Sequence, residues 1–328
     1  MNDLQPQVTS EGVVWLIVVA VCGGFTIILN TIVLLLLIRF RWLQTTSNII
    51  IGSMVITDIL GGIAAIVNCL QGLNVLNKLN HVECVIYITV DFTISTASSL
   101  HVIAASIERY IAIQYPLHHV TICRKSRILK GLLVVWVCSF CFGLTSLLAD
   151  YNGICKIIHF SYSFLTVTMM LLMYHVPLIV LCGLYAKITY TVIQQRKRLD
   201  VLAVKQIPET IGTSSSSKNT IASATTKATN AEPSPHHQSR SSNNLKPFVM
   251  ISAIVGSYIL FWCPFTISAI ISQIEMFTLP ENPIIPRDIP LILYLKKLTY
   301  LNSTANPIIY FLLGKEFRSA ARKIFARD

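Results

Sequence analysis

Seven stretches of this chain stay apolar long enough to cross the roughly 30 Å hydrocarbon core of a bilayer, and this repetition limits the fold more than any other feature. They lie at 12–38, 48–70, 83–113, 128–149, 162–192, 247–274 and 289–313. Lipid offers backbone N–H and C=O groups no partners, so such runs must satisfy their hydrogen bonds internally, as helices. None shows the strict alternation of a barrel strand. The stretches longer than about 20 residues should tilt or project beyond the bilayer. Only 12% of the 328 residues are charged, about half the share usual in a soluble domain. The expected fold class is an all-α membrane protein, a seven-transmembrane helix bundle over 12–313. Residues 1–11 form a short polar segment without Lys or Arg, and the apolar run behind it is too long for a cleaved signal peptide. That first span then doubles as the targeting signal.

The net charge of +11 is sorted by loop rather than spread as in a nucleic-acid-binding surface. Arg39, Arg41, Arg109, Arg124, Lys125, Arg127, Lys130, the 196–198 cluster, Lys315, Arg318, Arg322, Lys323 and Arg327 fall on one side. The other side holds only Lys78, Lys156 and Arg287, with Lys296 and Lys297 at the top of the last span. The positive-inside rule then predicts a multi-pass protein with its N-terminus outside and its C-terminus in the cytoplasm. Residues 199–244 are rich in Ser, Thr, Asn and Lys and read as a disordered cytoplasmic loop. Within 314–328, Phe317, Ala321, Ile324 and Phe325 share one face opposite basic residues. This predicts a short amphipathic eighth helix on the inner leaflet.

Hydropathy alone also admits a transporter or a channel, so the polar residues within the spans carry the next step. Intramembrane charges are expensive and mark function by default; here they are Asp58, Asp91 and, at the cytoplasmic edge, Glu108 and Arg109. In order along the spans come Asn30, Asp58, Cys84 and Glu108-Arg109-Tyr110, followed by Pro116-Leu117. Trp136 follows, then Pro177 with Tyr185, then Phe261-Trp262-Cys263-Pro264. The last span carries Asn302 and Asn306-Pro307-Ile308-Ile309-Tyr310. Each motif alone is weak. In this order, each on its expected span, they make the chain resemble a rhodopsin-like (class A) G-protein-coupled receptor over nearly everything outside the long loop. No catalytic triad, Walker loop or metal-ligand cluster competes, and no enzyme activity is expected.

The resemblance assigns roles to residues that physical chemistry already sets apart. Asp58 lies roughly 16 Å into its helix, near mid-bilayer, where a carboxylate needs a cation or a proton. In such receptors Asp58, Ser98, Asn302 and Asn306, with Asn30 at similar depth, would hold an allosteric Na+ that favours the resting state. The bland alternative is a protonated, hydrogen-bonded Asp58 that only packs. By position alone Arg109 reads as a snorkelling helix-end cation. The resemblance implies instead that it leaves Glu108 on activation and meets a heterotrimeric G protein, supported by Tyr185 and Tyr310. Tyr110, Leu117, Asn306 and Pro307 complete the coupling and switch set. Pro264 and Pro307 each remove a backbone bond and can kink their helices, and Trp262 would sense ligand one turn above it. Arrestin and receptor kinases are expected partners at the Ser/Thr-rich loop. Of nine Cys, Cys84 and Cys155 both lie on the outer side, where an oxidising exterior permits a disulfide.

Asp91 points to the ligand. It lies about 10 Å inside Cys84 and about 27 Å from Arg109, in the outer third of the bundle. An Asp here resembles the amine-binding aspartate of the biogenic and trace amine receptors, and Tyr300 matches the tyrosine that orients it. A protonated amine would pair with Asp91, with Phe265 as a cation–π wall. Met169, Met170 and Met173 stand where catecholamine receptors present serines, which argues against a catechol. Thr266 replaces a second Phe after Phe265, and Lys296 and Lys297 occupy the region where an aromatic is expected. The ligand-binding set is then Asp91, Tyr300, Trp262, Phe265, Met169, Met173 and Lys296. Should Lys296 itself pair with Asp91, an acidic or zwitterionic ligand becomes the alternative. A peptide or lipid ligand, or constitutive activity without any ligand, also stays open. A retinal opsin would need its lysine where Tyr300 stands, and a transporter would show internal repeats.

Overall fold

The computed structural model describes residues 10–72, 81–145, 172, 175–205, 236–278 and 289–325. They form α1 (Ser10–Arg39), a 3-10 turn (Arg41–Leu43), α2 (Thr46–Gly72), α3 (His81–Gln114), α4 (Pro116–Ile122) and α5 (Lys125–Leu144). Then follow α6 (Val176–Lys205), α7 (His236–Thr278), α8 (Ile289–Leu313) and α9 (Lys315–Phe325). No strand occurs among the described residues. Helices α1, α2, α3, α5, α6 and α7 each contain a segment long and apolar enough to cross a membrane. The seventh long helix, α8, carries Lys296, Lys297, Asn302 and Asn306 and packs on α7, α1 and α2.

Two boundaries differ from expectation. The loop predicted over 199–244 is helical at both ends, because α6 continues to Lys205 and α7 begins at His236. Residues 199–205, with two Leu, an Ala and a Lys, include good helix formers and continue α6 once its membrane span has nucleated it. The short α4 also went unforeseen. Pro116 stands in its first turn, where its missing N–H costs nothing.

The bundle is inside-out relative to a soluble protein. Val14, Val21, Phe25 and Ile28 on α1 and Leu133, Val137 and Phe140 on α5 point outward, while Asn30, Asp58, Ser99, His101 and Asn306 are fully enclosed. α3 runs through the centre, touching α2, α5, α6 and α7. Between α1 and α2 the backbones nearly meet. A Cβ placed on Gly23 or on Gly62 would lie 2.9 Å from the other residue's carbonyl oxygen. Small residues at a membrane helix interface permit this approach.

Polar side chains close the remaining gaps. Pro307 lies within α8 and cannot donate to the carbonyl of Ser303, four residues earlier. Asn30 Nδ2 donates to that carbonyl at 3.1 Å, so α1 repairs the break in α8. Thr26 and Thr304 hydrogen-bond beside it at 2.5 Å. His101 Nδ1 lies 2.6 Å from the Ala97 carbonyl and must donate to it, which leaves Nε2 to accept from Ser53 Oγ at 2.7 Å. Ser53 in turn accepts from Trp136 Nε1–H at 3.0 Å, so one chain of bonds ties α2, α3 and α5. Gly314 turns α8 into α9, and any Cβ there would collide with the Tyr310 carbonyl at 2.5 Å. Arg318 of α9 donates to the last carbonyls of α8, at Phe311 and Leu312. Phe317 and Ala320 are buried against the bundle.

Candidate functional site

Among the described residues, three buried carboxylates lie in the bundle, and each has a different environment. Asp91, on α3, is largely buried, with Oδ1 accepting from the Tyr300 hydroxyl of α8 at 3.1 Å. Its Oδ2 faces Lys296 Nζ at 3.4 Å. Lys296 stands four residues before Tyr300, so one helical turn places both above the same carboxylate. The ammonium lies 5.6 Å from the Trp262 ring centroid and 5.7 Å from those of Phe265 and Tyr300. All three distances fall within cation–π range. Trp262 stacks on Tyr258 at 5.5 Å, and Tyr258 shares a 2.7 Å hydrogen bond with Ser99 of α3. The floor of this box is thereby connected to the middle of the bundle. Lys296 is a member of the expected ligand set, and it completes an ion pair that an incoming amine was expected to make.

Asp58, on α2, is completely enclosed. Oδ2 accepts from Asn306 Nδ2 at 2.9 Å, while Oδ1 has no protein donor. Asn306 Oδ1 is likewise without one. Ser98 and Asn302 are buried, and Asn302 Oδ1 lies 3.4 Å from Ser257 Oγ. Ser303 also lies against the Asp58 carboxylate. A carboxylate oxygen, a second free acceptor and several hydroxyls form an all-oxygen donor set, which suits a hard cation such as Na+.

At the other end of α3, Glu108 is a hub. Its Oε2 lies 3.3 Å from Arg109 Nε; its Oε1 accepts from Ser47 of α2 at 2.9 Å and faces His119 Nε2 of α4 at 2.7 Å. Glu108 is almost fully buried, whereas the Arg109 side chain retains 14% exposure. Tyr110 receives the Lys187 ammonium 5.3 Å from its ring and meets Tyr115 edge-on. Tyr310 is buried and stacks on Phe317 at 5.6 Å; Tyr185 packs against the same core, and Pro307 is buried nearby. Leu117 is 90% exposed, an apolar side chain presented beside the Glu108 hub.

Met169, Met173, Cys155 and the side chain of Cys84 lie outside the described residues. Sequence reasoning missed Ser47 and His119 at Glu108, and Tyr258 and Ser99 below Trp262. Ser47 is 61 residues from Glu108 and Ser99 is 159 from Tyr258, and neither pair sits in a motif of recognisable spacing. His119 offered the one usable signal, because a residue just past Pro116 must fold back near the end of α3.

Among the described residues, seven long helices close around buried carboxylates, with an acid–cation box toward one end and an acid–arginine hub at the other, as in a polytopic membrane protein. The family model for the 7 transmembrane receptor (rhodopsin family) matches residues 29–310, and the chain belongs to that family. It is a receptor and not an enzyme. The chain is 26% identical to the thyrotropin-releasing hormone receptor of Mus musculus, over 98% of its own length and 82% of that relative's. With the histamine H2 receptor of Rattus norvegicus it shares 25% identity, over 92% of its length and 76% of that relative's.

Proposed function

We propose that this receptor detects a small extracellular ligand bearing a protonated amine and passes the signal to a heterotrimeric G protein. The proposed orientation puts the N-terminus outside and the C-terminus in the cytoplasm of a plasma-membrane protein, as the loop charges favour. The observation that carries the reading is the box at Asp91. One oxygen is oriented by Tyr300, the other faces an ammonium, and three aromatic rings surround that ammonium. The likeness to the histamine H2 receptor supports an amine. The likeness to the thyrotropin-releasing hormone receptor supports a second reading, a peptide ligand, and the presence of Lys296 in the box favours a ligand with an acidic group. Arg109 is the proposed G-protein contact, released from Glu108 on activation, with Leu117 docking beside it. Asp58, Ser98, Asn302 and Asn306 would hold Na+ in the resting state. Arrestin and kinases would act on the Ser/Thr-rich loop, and a Cys84–Cys155 disulfide would tie the second outer loop to α3.

A second-messenger screen of cells expressing the receptor against an amine panel tests the main reading. Activation by at least one protonated amine, lost in Asp91→Ala, is the expected result. Activation only by ligands without an ammonium would overturn it. Recovery of a cross-linked peptide containing Cys84 and Cys155 from a non-reduced digest is expected for the disulfide; two free thiols would refute it.

A further inference from the structure

The ammonium in the Asp91 box belongs to the protein itself. Lys296 Nζ lies 3.4 Å from Asp91 Oδ2 and 5.6 to 5.7 Å from the centroids of Trp262, Phe265 and Tyr300. A carboxylate on one side and aromatic faces on the others is an arrangement that would recognise a free alkylammonium. Here that cation is tethered to α8, the helix that also supplies Tyr300. Tethering gives it an effective concentration far above that of a dissolved amine. A ligand with a single ammonium therefore meets a site already filled.

We infer that Lys296 is a tethered occupant of the ligand site, and that the ligand displacing it is a zwitterion, its ammonium on Asp91 and its acid group on Lys296. The inference rests on the reading of Asp91 as the ligand anchor. Charge balance selects the zwitterion. Asp91 and Lys296 sum to zero, and their side chains keep only 12% and 19% exposure. An incoming monoamine would leave the Lys296 charge unpaired in a mostly dry space, and an incoming monoacid would leave Asp91 unpaired. Breaking a buried pair in this way is strongly unfavourable. A zwitterion exchanges one ion pair for two and leaves the net charge unchanged.

Chemical rescue tests the first half. Lys296→Ala removes the side chain beyond Cβ, and the missing fragment is n-propylammonium. In lipid nanodiscs the full-length Lys296→Ala receptor should unfold at a lower temperature than wild type. Added n-propylammonium should restore it, and n-propanol should not. Wild type and the Asp91→Asn/Lys296→Ala double variant should not respond. Lys296→Met refills the volume without the charge and should bind phenethylammonium at least about 100-fold more tightly than wild type does. The second half compares phenethylammonium, 3-phenylpropionate and phenylalanine, which share an aromatic arm and differ in charge. Wild type should bind phenylalanine best, and Lys296→Met should bind phenethylammonium best. Absence of any ammonium response in both Lys296 variants would overturn the tethered occupant. Equal or inverted preference of wild type among the three probes would overturn the zwitterion. Ammonium rescue in nanodiscs without any cellular signalling would uphold this inference and fail the signalling reading instead.

Discussion

Asp91 and Asp58 are carboxylates of one charge, buried in one bundle, and the protein treats them in opposite ways. Asp91 receives a cation from within, at 3.4 Å, and a hydroxyl at 3.1 Å, so both of its oxygens are occupied. Asp58 receives one amide N–H at 2.9 Å and keeps its other oxygen without a donor. A buried carboxylate without a counter-charge takes up a proton or a cation. The first site is thus closed by the chain itself. The second keeps one oxygen that no protein donor among the described residues satisfies. The proposed ligand anchor and the proposed sodium site are therefore separate aspartates with opposite surroundings.

The largest effect expected from breaking this contrast is at Asp91. Asp91→Ala should lower the potency of any ammonium-bearing agonist by about two to four decades, the cost of stripping one partner from a buried charged pair. Concentration–response curves at matched surface expression check this, and unchanged potency would place the anchor elsewhere. Tyr300→Phe removes only the hydroxyl that orients the carboxylate. Its cost should be that of one hydrogen bond to a charged group, about ten- to a hundredfold in agonist affinity, measured by radioligand displacement.

Asp58 should show a smaller effect of a different kind. Replacing sodium by a bulky organic cation should raise agonist affinity several-fold in the native receptor, because an ion that prefers one state shifts the balance toward it. Asp58→Asn should remove that dependence. Equal agonist binding in both salts for the native receptor would show that Asp58 holds a proton instead. Glu108 sharpens the comparison as a third carboxylate, fully supplied by Ser47, His119 and Arg109. In many related receptors a second acid, at the inner end of the sixth span, also holds this arginine; counting back twenty residues from Pro264 reaches Asn244. Appreciable ligand-free signalling is therefore expected. Asn244→Glu should lower it several-fold at most, since an ion pair at a partly wet helix end contributes about 1 kcal/mol. Ligand-free output equal to that of mock-transfected cells would refute the premise.

The fold was legible because lipid forces helices wherever apolar runs are long, and because so few polar residues interrupt them. Asp58 and Asn306 could be paired on paper, since both are intramembrane groups with nowhere else to turn. Lys296 stood out for the same reason: one turn from Tyr300, it had few directions in which to bury an ammonium. What escaped the sequence was contact between ordinary residues. Ser47 is a serine like any other until α2 carries it to Glu108, and nothing in residues 199–244 showed that α6 and α7 continue into their polar ends. Helix continuation depends on a neighbour already being folded, which local composition does not record.

The mutual approach of Gly23 and Gly62 bears on how the molecule is made. α1 and α2 leave the ribosome before the later spans, joined only by residues 40–45, and their backbones come close at Gly23 and Gly62. Hairpins that dock this simply can settle while later spans are still being synthesised. Their surface then receives α8, whose Ser303 carbonyl must find Asn30 across 273 residues of chain. A bulky residue at Gly23 should therefore show its damage in the seating of the last span, as retention of the receptor in the membrane where it was inserted.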